Sequence, residues 1–137
     1  MLYTIGYGGM SNAGQLKEIM EENGIDLLVD VRTSTRAWSN EFNGTHLAKV
    51  FGTQYVWMGE RLGGLKPVDP VALNDLYQIQ DGRKVLIMCS EKDPAQCHRH
   101  YWIAAAMMKR GIVATHLIFK GQPITADLVP IVEGGAK

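Results

Sequence analysis

The sequence predicts an α/β fold of the Rossmann-like type, with one open, mostly parallel sheet of about five strands and helices on both faces. Candidate strands alternate with candidate helices along the chain, which is the order of a parallel sheet with helical crossovers. The strands are nearly continuous apolar runs, as expected when both faces of a sheet are covered. A length of 137 residues with 46% hydrophobic content fits one domain with its own core. We therefore expect a single domain over residues 1–132 and a loose tail over residues 133–137.

The first half of the chain is divided by glycines and by residues that cap helices. A polar loop with embedded aromatic residues interrupts it and is longer than a simple connection, which is typical of a functional loop. The predicted elements are a strand over residues 2–5, a helix that begins at Ser11 or Asn12 and ends at Asn23-Gly24, a strand over 25–31, the polar loop over 33–44, a short helix from Asn43 or Thr45 to Phe51, and a strand over 54–58.

The second half repeats one signal for a helix start. Asp69-Pro70 and Asp93-Pro94 each combine an N-cap side chain with a proline suited to the first helical position. The predicted elements are a glycine-punctuated loop over residues 59–67, a helix from Asp69-Pro70 to Asp81-Gly82, a strand over 84–89, a helix from Pro94 to about Arg110 with Gly111 after its end, and a strand over 112–119.

Four glycine-rich or charged segments follow predicted strands. Right-handed crossovers bring the carboxyl ends of parallel strands to one edge of the sheet, where ligands bind in open α/β folds. The four segments are therefore predicted to line one ligand crevice, in which glycines allow close backbone approach. They are Gly6–Gly9, Asp30–Arg36, Gly59–Lys66 and Cys89–Arg99.

Both cysteines and two of the four histidines lie within residues 89–100. We predict Cys97 in the first turns of a helix, whose positive end favours a thiolate, so that it could act as a nucleophile or a redox thiol. Cys89 is the second candidate for the reactive group and His98 the candidate acid or base. The alternative is that the cysteines, Cys89 above all, are small buried hydrophobic residues. Their spacing with His100 matches no closed zinc pattern, and no metal is predicted.

The loop after the second strand interleaves cationic and aromatic side chains, which can hold phosphates and stack bases. Asp30 is a candidate general base or metal ligand or, alternatively, a cap for a neighbouring loop. The turn at Gly6–Gly9 is either a phosphate cradle or a tight structural turn, and the Arg32–Phe42 segment is either a binding loop or a solvated one. The candidate ligand-binding residues are Gly6, Tyr7, Gly8, Gly9, Arg32, Arg36, Trp38, Glu60, Gly63, Gly64, Glu91, Lys92 and Arg99.

Composition limits the choice of partners. Fourteen basic residues balance fourteen acidic ones, so any polyanion must be held by a local patch and not by a global field. No Walker sequence or dinucleotide fingerprint occurs, and no cofactor is predicted. The apolar runs are too short to span a membrane, which favours a cytoplasmic protein. The predicted partner is a phosphate-bearing small molecule or a nucleic acid.

Four blocks of sequence resemble the DUF488 family, small proteins of unsettled biochemical role. The blocks are Tyr3–Gly9, Leu28–Arg32, Tyr55 with Leu62-Gly63-Gly64, and Cys89–Arg99, of which the last is the most specific. The resemblance implies an α/β domain that is suspected of enzymatic function because of its cysteines and has no established substrate. Residues 33–36 lack the proline that the family usually carries after its Asp-Val-Arg.

Two functions remain in competition at this point. The first is an enzyme or enzyme-like domain that binds a phosphate-bearing ligand at the carboxyl edge, with Cys97 or Cys89 as the reactive group and Arg32 and Arg99 as anion clamps. The second is a non-catalytic nucleic-acid or protein adaptor with structural cysteines. The Arg32–Phe42 segment discriminates between them, since an adaptor needs this segment and not the thiols.

Overall fold

A computed structural model describes residues 1–65, 67–91, 97–119 and 126–127. Its strands are β1 (Leu2–Gly6), β2 (Leu27–Asp30), β3 (Tyr55–Trp57), β4 (Val85–Cys89), β5 (Thr115–Leu117) and β6 (Ala126–Asp127). They form one sheet with the strand order β3-β2-β4-β1-β5-β6, and every neighbouring pair is parallel except β5 and the short β6. The predicted α/β fold with a mostly parallel open sheet is therefore confirmed.

The helices begin and end largely where the capping signals predict. The Asn12 side chain accepts a hydrogen bond from the Gln15 amide, and Gly24 ends the first helix in the left-handed conformation that favours glycine. The side chain of Asp69, the residue before Pro70, accepts a hydrogen bond from the Val71 amide. The helices are α1 (Ala13–Asn23), α2 (Gly44–Phe51), α3 (Gly59–Leu62), α4 (Pro70–Gln80) and α5 (His98–Met108), with short 3₁₀ helices over Asn40–Phe42 and Gly52–Gln54.

Two predicted elements differ from the structure. The glycine-punctuated loop after β3 contains the single turn α3, because fully buried Leu62 anchors it and its amide donates to the Met58 carbonyl. Cys97 has extended backbone angles and is the N-cap of α5, so it precedes the first helical turn and does not lie in it. The predicted helix start at Asp93-Pro94 and the tail over residues 133–137 lie outside the described residues.

Strand alternation sorts the core into two clusters, one on each face of the sheet. In β4, for example, Val85 and Ile87 pack on the face that carries α4 and α5, whereas Leu86 and Met88 pack on the face that carries α1 and α2. We call these the α4/α5 face and the α1/α2 face. The side on which a residue of a strand projects therefore decides which cluster it joins.

The strand order also locates the crevice of this sheet. From β2 the chain continues outward to β3, whereas from β4 it continues in the opposite direction to β5. Connections that leave neighbouring parallel strands in opposite directions open a crevice at the carboxyl ends of those strands. Here the crevice lies where β2 ends at Asp30 and β4 ends at Cys89. Among the described residues, no helix is long and apolar enough to cross a membrane.

Candidate functional site

A buried ion pair lies at the end of β2. Asp30 has 0% and Arg32 4% of its surface exposed. The Arg32 side chain donates from Nε to one carboxylate oxygen of Asp30 at 2.9 Å and from Nη2 to the other at 2.6 Å. The Arg32 amide adds a third hydrogen bond to Asp30. This bidentate geometry is the strong form of an arginine–carboxylate pair, and it uses much of the capacity of Arg32 to bind an external anion.

Two tyrosines complete this network. The Tyr55 hydroxyl donates to Asp30 at 2.7 Å, and Arg32 Nη1 donates to the Tyr7 hydroxyl at 3.4 Å while the guanidinium lies 5.3 Å from the centre of the Tyr7 ring. Burial and then the Asp30 hydrogen bond raise the pKa of Tyr55. Burial alone would lower the pKa of Arg32, but the contacts with Asp30 and Tyr7 raise it overall. Arg32 is therefore permanently charged and its partner Asp30 compensates that charge.

The turn α3 packs against the backbone that follows β2. The Trp57 indole N–H donates to the Arg32 carbonyl at 2.7 Å. A Cβ atom at Gly59 would lie 1.6 Å from that carbonyl oxygen, and one at Gly63 would lie 2.2 Å from Thr33 Oγ1. Glycine at both positions is therefore required by close packing, which gives the predicted ligand residue Gly63 a structural reason.

A cavity of about 450 Å³ opens beside this network on the carboxyl edge. It is lined by Tyr7, Arg36, Ala37, Trp38 and Ser90. Trp38 is fully exposed and Arg36 is exposed. Within the part of the chain that the structure describes, no ion pair involves Arg36. The cavity thus combines an aromatic surface with a cation whose charge no described acidic side chain compensates.

The glycine turn after β1 is hydrogen-bonded to the end of β4. The Tyr7 amide donates to the Cys89 carbonyl and the Gly8 amide to the Ser90 carbonyl, each at 3.0 Å. Gly9 has a φ of 90°, a conformation that favours glycine. These contacts favour the structural turn over the phosphate cradle, because two of the amides that a cradle needs already donate within the chain.

The two cysteines lie on the other face of the sheet. Cys89 and Cys97 both belong to the cluster of the α4/α5 face, and their sulfur atoms are 2.7 Å apart. Their exposed fractions are 0% and 2%. Tyr7 packs against the cluster of the α1/α2 face. The thiols therefore face away from the Tyr7 side of the crevice, although β4 ends beside the cavity.

The remaining predicted residues are scattered. Glu60 is exposed and lines a separate, smaller cavity with Arg61, whereas Gly64 lines an apolar one with Trp102. Glu91 is exposed. The side chains of His98 and Arg99, and all of Lys92, lie outside what the structure describes. Among the described residues, no group of three or more His, Cys, Asp or Glu side chains could hold a metal ion.

Three side chains that pack around the Asp30–Arg32 network without lining the cavity were not among the predicted site residues, although Phe42 ends the predicted Arg32–Phe42 loop. They are Tyr55, Phe42 and Trp57. Tyr55 and Trp57 alternate with Val56 on β3, whose neighbour β2 could not be identified before the strand order was known. Phe42 stacks on Tyr7 with ring centres 4.5 Å apart, a contact across a long loop that no local pattern indicates.

A doubly wound α/β domain with polar and aromatic side chains gathered at its carboxyl edge is the class of protein that this fold and site define. The family model described as "Domain of unknown function DUF488" matches residues 13–71, from the start of α1 to the start of α4. The match contains Asp30, Arg32, Arg36 and Trp38, and it supports the resemblance to the DUF488 family over this segment, which is less than half of the chain. The glycine turn and the Cys89–Arg99 block lie outside the matched segment. Comparison with curated proteins and with solved structures gave no match.

Proposed function

We propose that the chain is an enzyme or enzyme-like domain that binds a phosphate-bearing ligand, a nucleotide or nucleic acid, at the carboxyl edge of the sheet. The observation that carries the proposal is the cavity over the ends of β1 and β4, with Trp38 and Arg36 in its lining. An exposed tryptophan offers a stacking surface to any base, and a guanidinium matches the geometry of a phosphate. The cytoplasm, where the thiols would stay reduced, is the compartment that the proposal assumes.

The two arginines that follow β2 differ in how much charge they offer the ligand. Arg32 is neutralised by Asp30, so its role is to hold Tyr7 at the wall of the cavity. Arg36 has a hydrogen bond from its amide to Ser34 Oγ and an exposed side chain. We therefore assign the anion contact to Arg36 and a positioning role to Arg32.

The reactive group of the proposal is the cluster of cysteine, histidine and arginine near residue 97. Its support is the contact of the Cys89 and Cys97 sulfur atoms at the carboxyl edge. A nucleophilic thiol should be alkylated faster than a model thiol, with a rate that rises with pH. Mass mapping after brief alkylation identifies the labelled cysteine. Labelling of both cysteines at or below the rate of the model thiol would remove the nucleophile from the proposal.

Titration with adenosine 5′-monophosphate, with adenosine as the phosphate-free comparison, tests ligand binding. Trp38→Ala should weaken binding of both compounds about tenfold, since a stacked base contributes about 1–3 kcal/mol. Arg36→Ala should weaken only the monophosphate by about tenfold, because adenosine has no phosphate to contact. Equal affinity of the wild type and both variants would contradict the proposal.

Matched control variants are available on the same chain. Arg83→Ala removes an exposed arginine, and Trp102→Phe alters a half-exposed tryptophan, neither of which lines the cavity. Both controls should bind the monophosphate with wild-type affinity. Far-UV circular dichroism of all four variants checks that the fold is retained.

The non-catalytic adaptor is the second candidate, and the burial of both thiols favours it. Its ligand would be single-stranded nucleic acid held by Arg36 and Trp38. Salt-dependent binding of a single-stranded oligonucleotide that survives replacement of both cysteines by serine, but is lost on changing Arg36 and Trp38, supports the adaptor. Binding or turnover that requires a cysteine supports the enzyme.

A further inference from the structure

The pair of thiols at the end of β4 has a geometry that the proposed ligand site does not use. The chain has two cysteines, and the fold brings their sulfur atoms to 2.7 Å although eight positions separate them in sequence. Cys89 is fixed by the strand pairing of β4 with β1 and β2. Cys97 is fixed by its position as the N-cap of α5. The end of a strand and the start of a helix therefore place the two sulfurs in contact.

We propose that Cys89 and Cys97 form a redox-active dithiol that exchanges with a small-molecule disulfide of the glutathione type. The sulfur of Cys97, as thiolate, attacks one sulfur of the small disulfide, forms a mixed disulfide and releases one small thiolate. The sulfur of Cys89 then attacks Cys97, forms the intramolecular bond and releases the second small thiolate. Two protein thiols are oxidised, one small disulfide is reduced, and the two protons pass to the released thiolates.

The contacts of the pair explain why this bond forms within the chain. A disulfide requires sulfur atoms about 2.05 Å apart, so closing the bond needs only a short approach from 2.7 Å. The loop that the bond closes is short, and both ends are already ordered in the fold. Because the exposed fractions are 0% and 2%, a second protein molecule cannot reach either sulfur without local opening. The intramolecular disulfide is therefore favoured over a cross-linked dimer.

Burial also sets the rate. Oxidised glutathione is much larger than an alkylating reagent, and it reaches the buried sulfur of Cys97 only when the N-terminal end of α5 opens locally. Exchange is therefore slow even where the equilibrium favours the disulfide. The proposal therefore concerns the equilibrium between dithiol and disulfide, and it stands or falls separately from rapid alkylation and from binding of a phosphate ligand.

Equilibration of the full chain in glutathione buffers tests the proposal. After acid quenching, the chain is denatured and alkylated, and intact mass gives the number of alkylated cysteines. We expect both thiols to be lost together as oxidised glutathione increases, with monomeric protein and full recovery in dithiothreitol. Because two glutathione molecules are released per disulfide, the transition should follow the square of the reduced glutathione concentration.

Cys89→Ser and Cys97→Ser are the matched controls. Each retains one thiol, so each should reach at most a mixed disulfide with one glutathione, and its transition should follow the first power of reduced glutathione. Circular dichroism confirms the fold of each variant. The wild-type measurement does not depend on these variants.

Approach from both directions removes the ambiguity of slow exchange. One sample starts reduced, and the other is oxidised in denaturant and then refolded. The proposal is supported if both samples reach the same fraction of chain with the intramolecular disulfide. It is overturned if the oxidised chain fails to refold, if the refolded chain loses its disulfide in excess oxidised glutathione, or if only mixed disulfides or cross-linked dimers form.

Discussion

At the carboxyl edge of the sheet, the two faces carry different chemistry. On the α1/α2 face, Tyr55 and Tyr7 contact the Asp30–Arg32 pair beside a cavity with an exposed arginine and tryptophan. On the α4/α5 face, two thiols lie in contact within an apolar cluster. Both groups follow neighbouring strands, yet strand alternation sends their side chains to opposite sides. Side chains that share one edge of the sheet therefore need not share a face.

The largest effect is expected where the buried charge of the α1/α2 face is broken. Asp30→Asn removes the charge that compensates Arg32, and we expect it to lower the free energy of unfolding by about 3–5 kcal/mol. The measurement is urea denaturation followed by circular dichroism. Asp69→Asn is the control, because Asp69 pairs with Arg61 at the surface and asparagine remains a good N-cap. A loss for Asp30→Asn no larger than that of the control would refute the buried-pair account.

Much of the fold could be predicted before the structure, and for local reasons. Asn12, Gly24 and Asp69 end or begin helices through hydrogen bonds and backbone angles that depend on near neighbours. The face of the sheet on which the side chains of a segment lie cannot be predicted from near neighbours, because it depends on strand order. Cys89 and Arg32 were predicted to line one crevice. That prediction missed the separation of the two faces, because nothing local shows that β2 and β4 are neighbours or that their terminal side chains lie on opposite faces.

A smaller effect should distinguish tyrosines on the two faces. Tyr55→Phe removes a hydroxyl that donates to a buried carboxylate, and the free energy of unfolding should fall by about 1–2 kcal/mol. Tyr77→Phe is the matched change beside the cluster of the α4/α5 face and should stay within about 0.5 kcal/mol of wild type. Equal stability of the two variants in urea denaturation would show that the hydrogen bond from Tyr55 to Asp30 on the α1/α2 face does not stabilise the fold.

The smallest effect concerns a histidine on the α4/α5 face. His116 is buried against Thr4, and burial lowers its pKa below the ordinary value. The unfolded chain therefore binds a proton at this residue before the folded chain does, so stability is lost as pH falls below about 6.5. This residue contributes a slope of at most about 1.4 kcal/mol per pH unit.

Unfolding free energies measured at a series of pH values check this slope. His116→Gln should lose the part of the acid-induced fall in stability that His116 causes, whatever the stability of this variant at neutral pH. His46→Gln should keep it, because His46 is half-exposed beside Glu41. An unchanged slope in His116→Gln would show that another group causes the acid loss of stability.

Three tryptophans report on three cavities, and they test the assignment of the ligand site most directly. Trp38, Trp57 and Trp102 each line a different cavity. In a titration of ¹⁵N-labelled protein with adenosine 5′-monophosphate, each indole N–H gives a separate nuclear magnetic resonance signal. The account predicts that the Trp38 signal shifts to saturation while the signals of Trp57 and Trp102 stay in place. A shift of Trp57 or Trp102 with an unmoved Trp38 would contradict it.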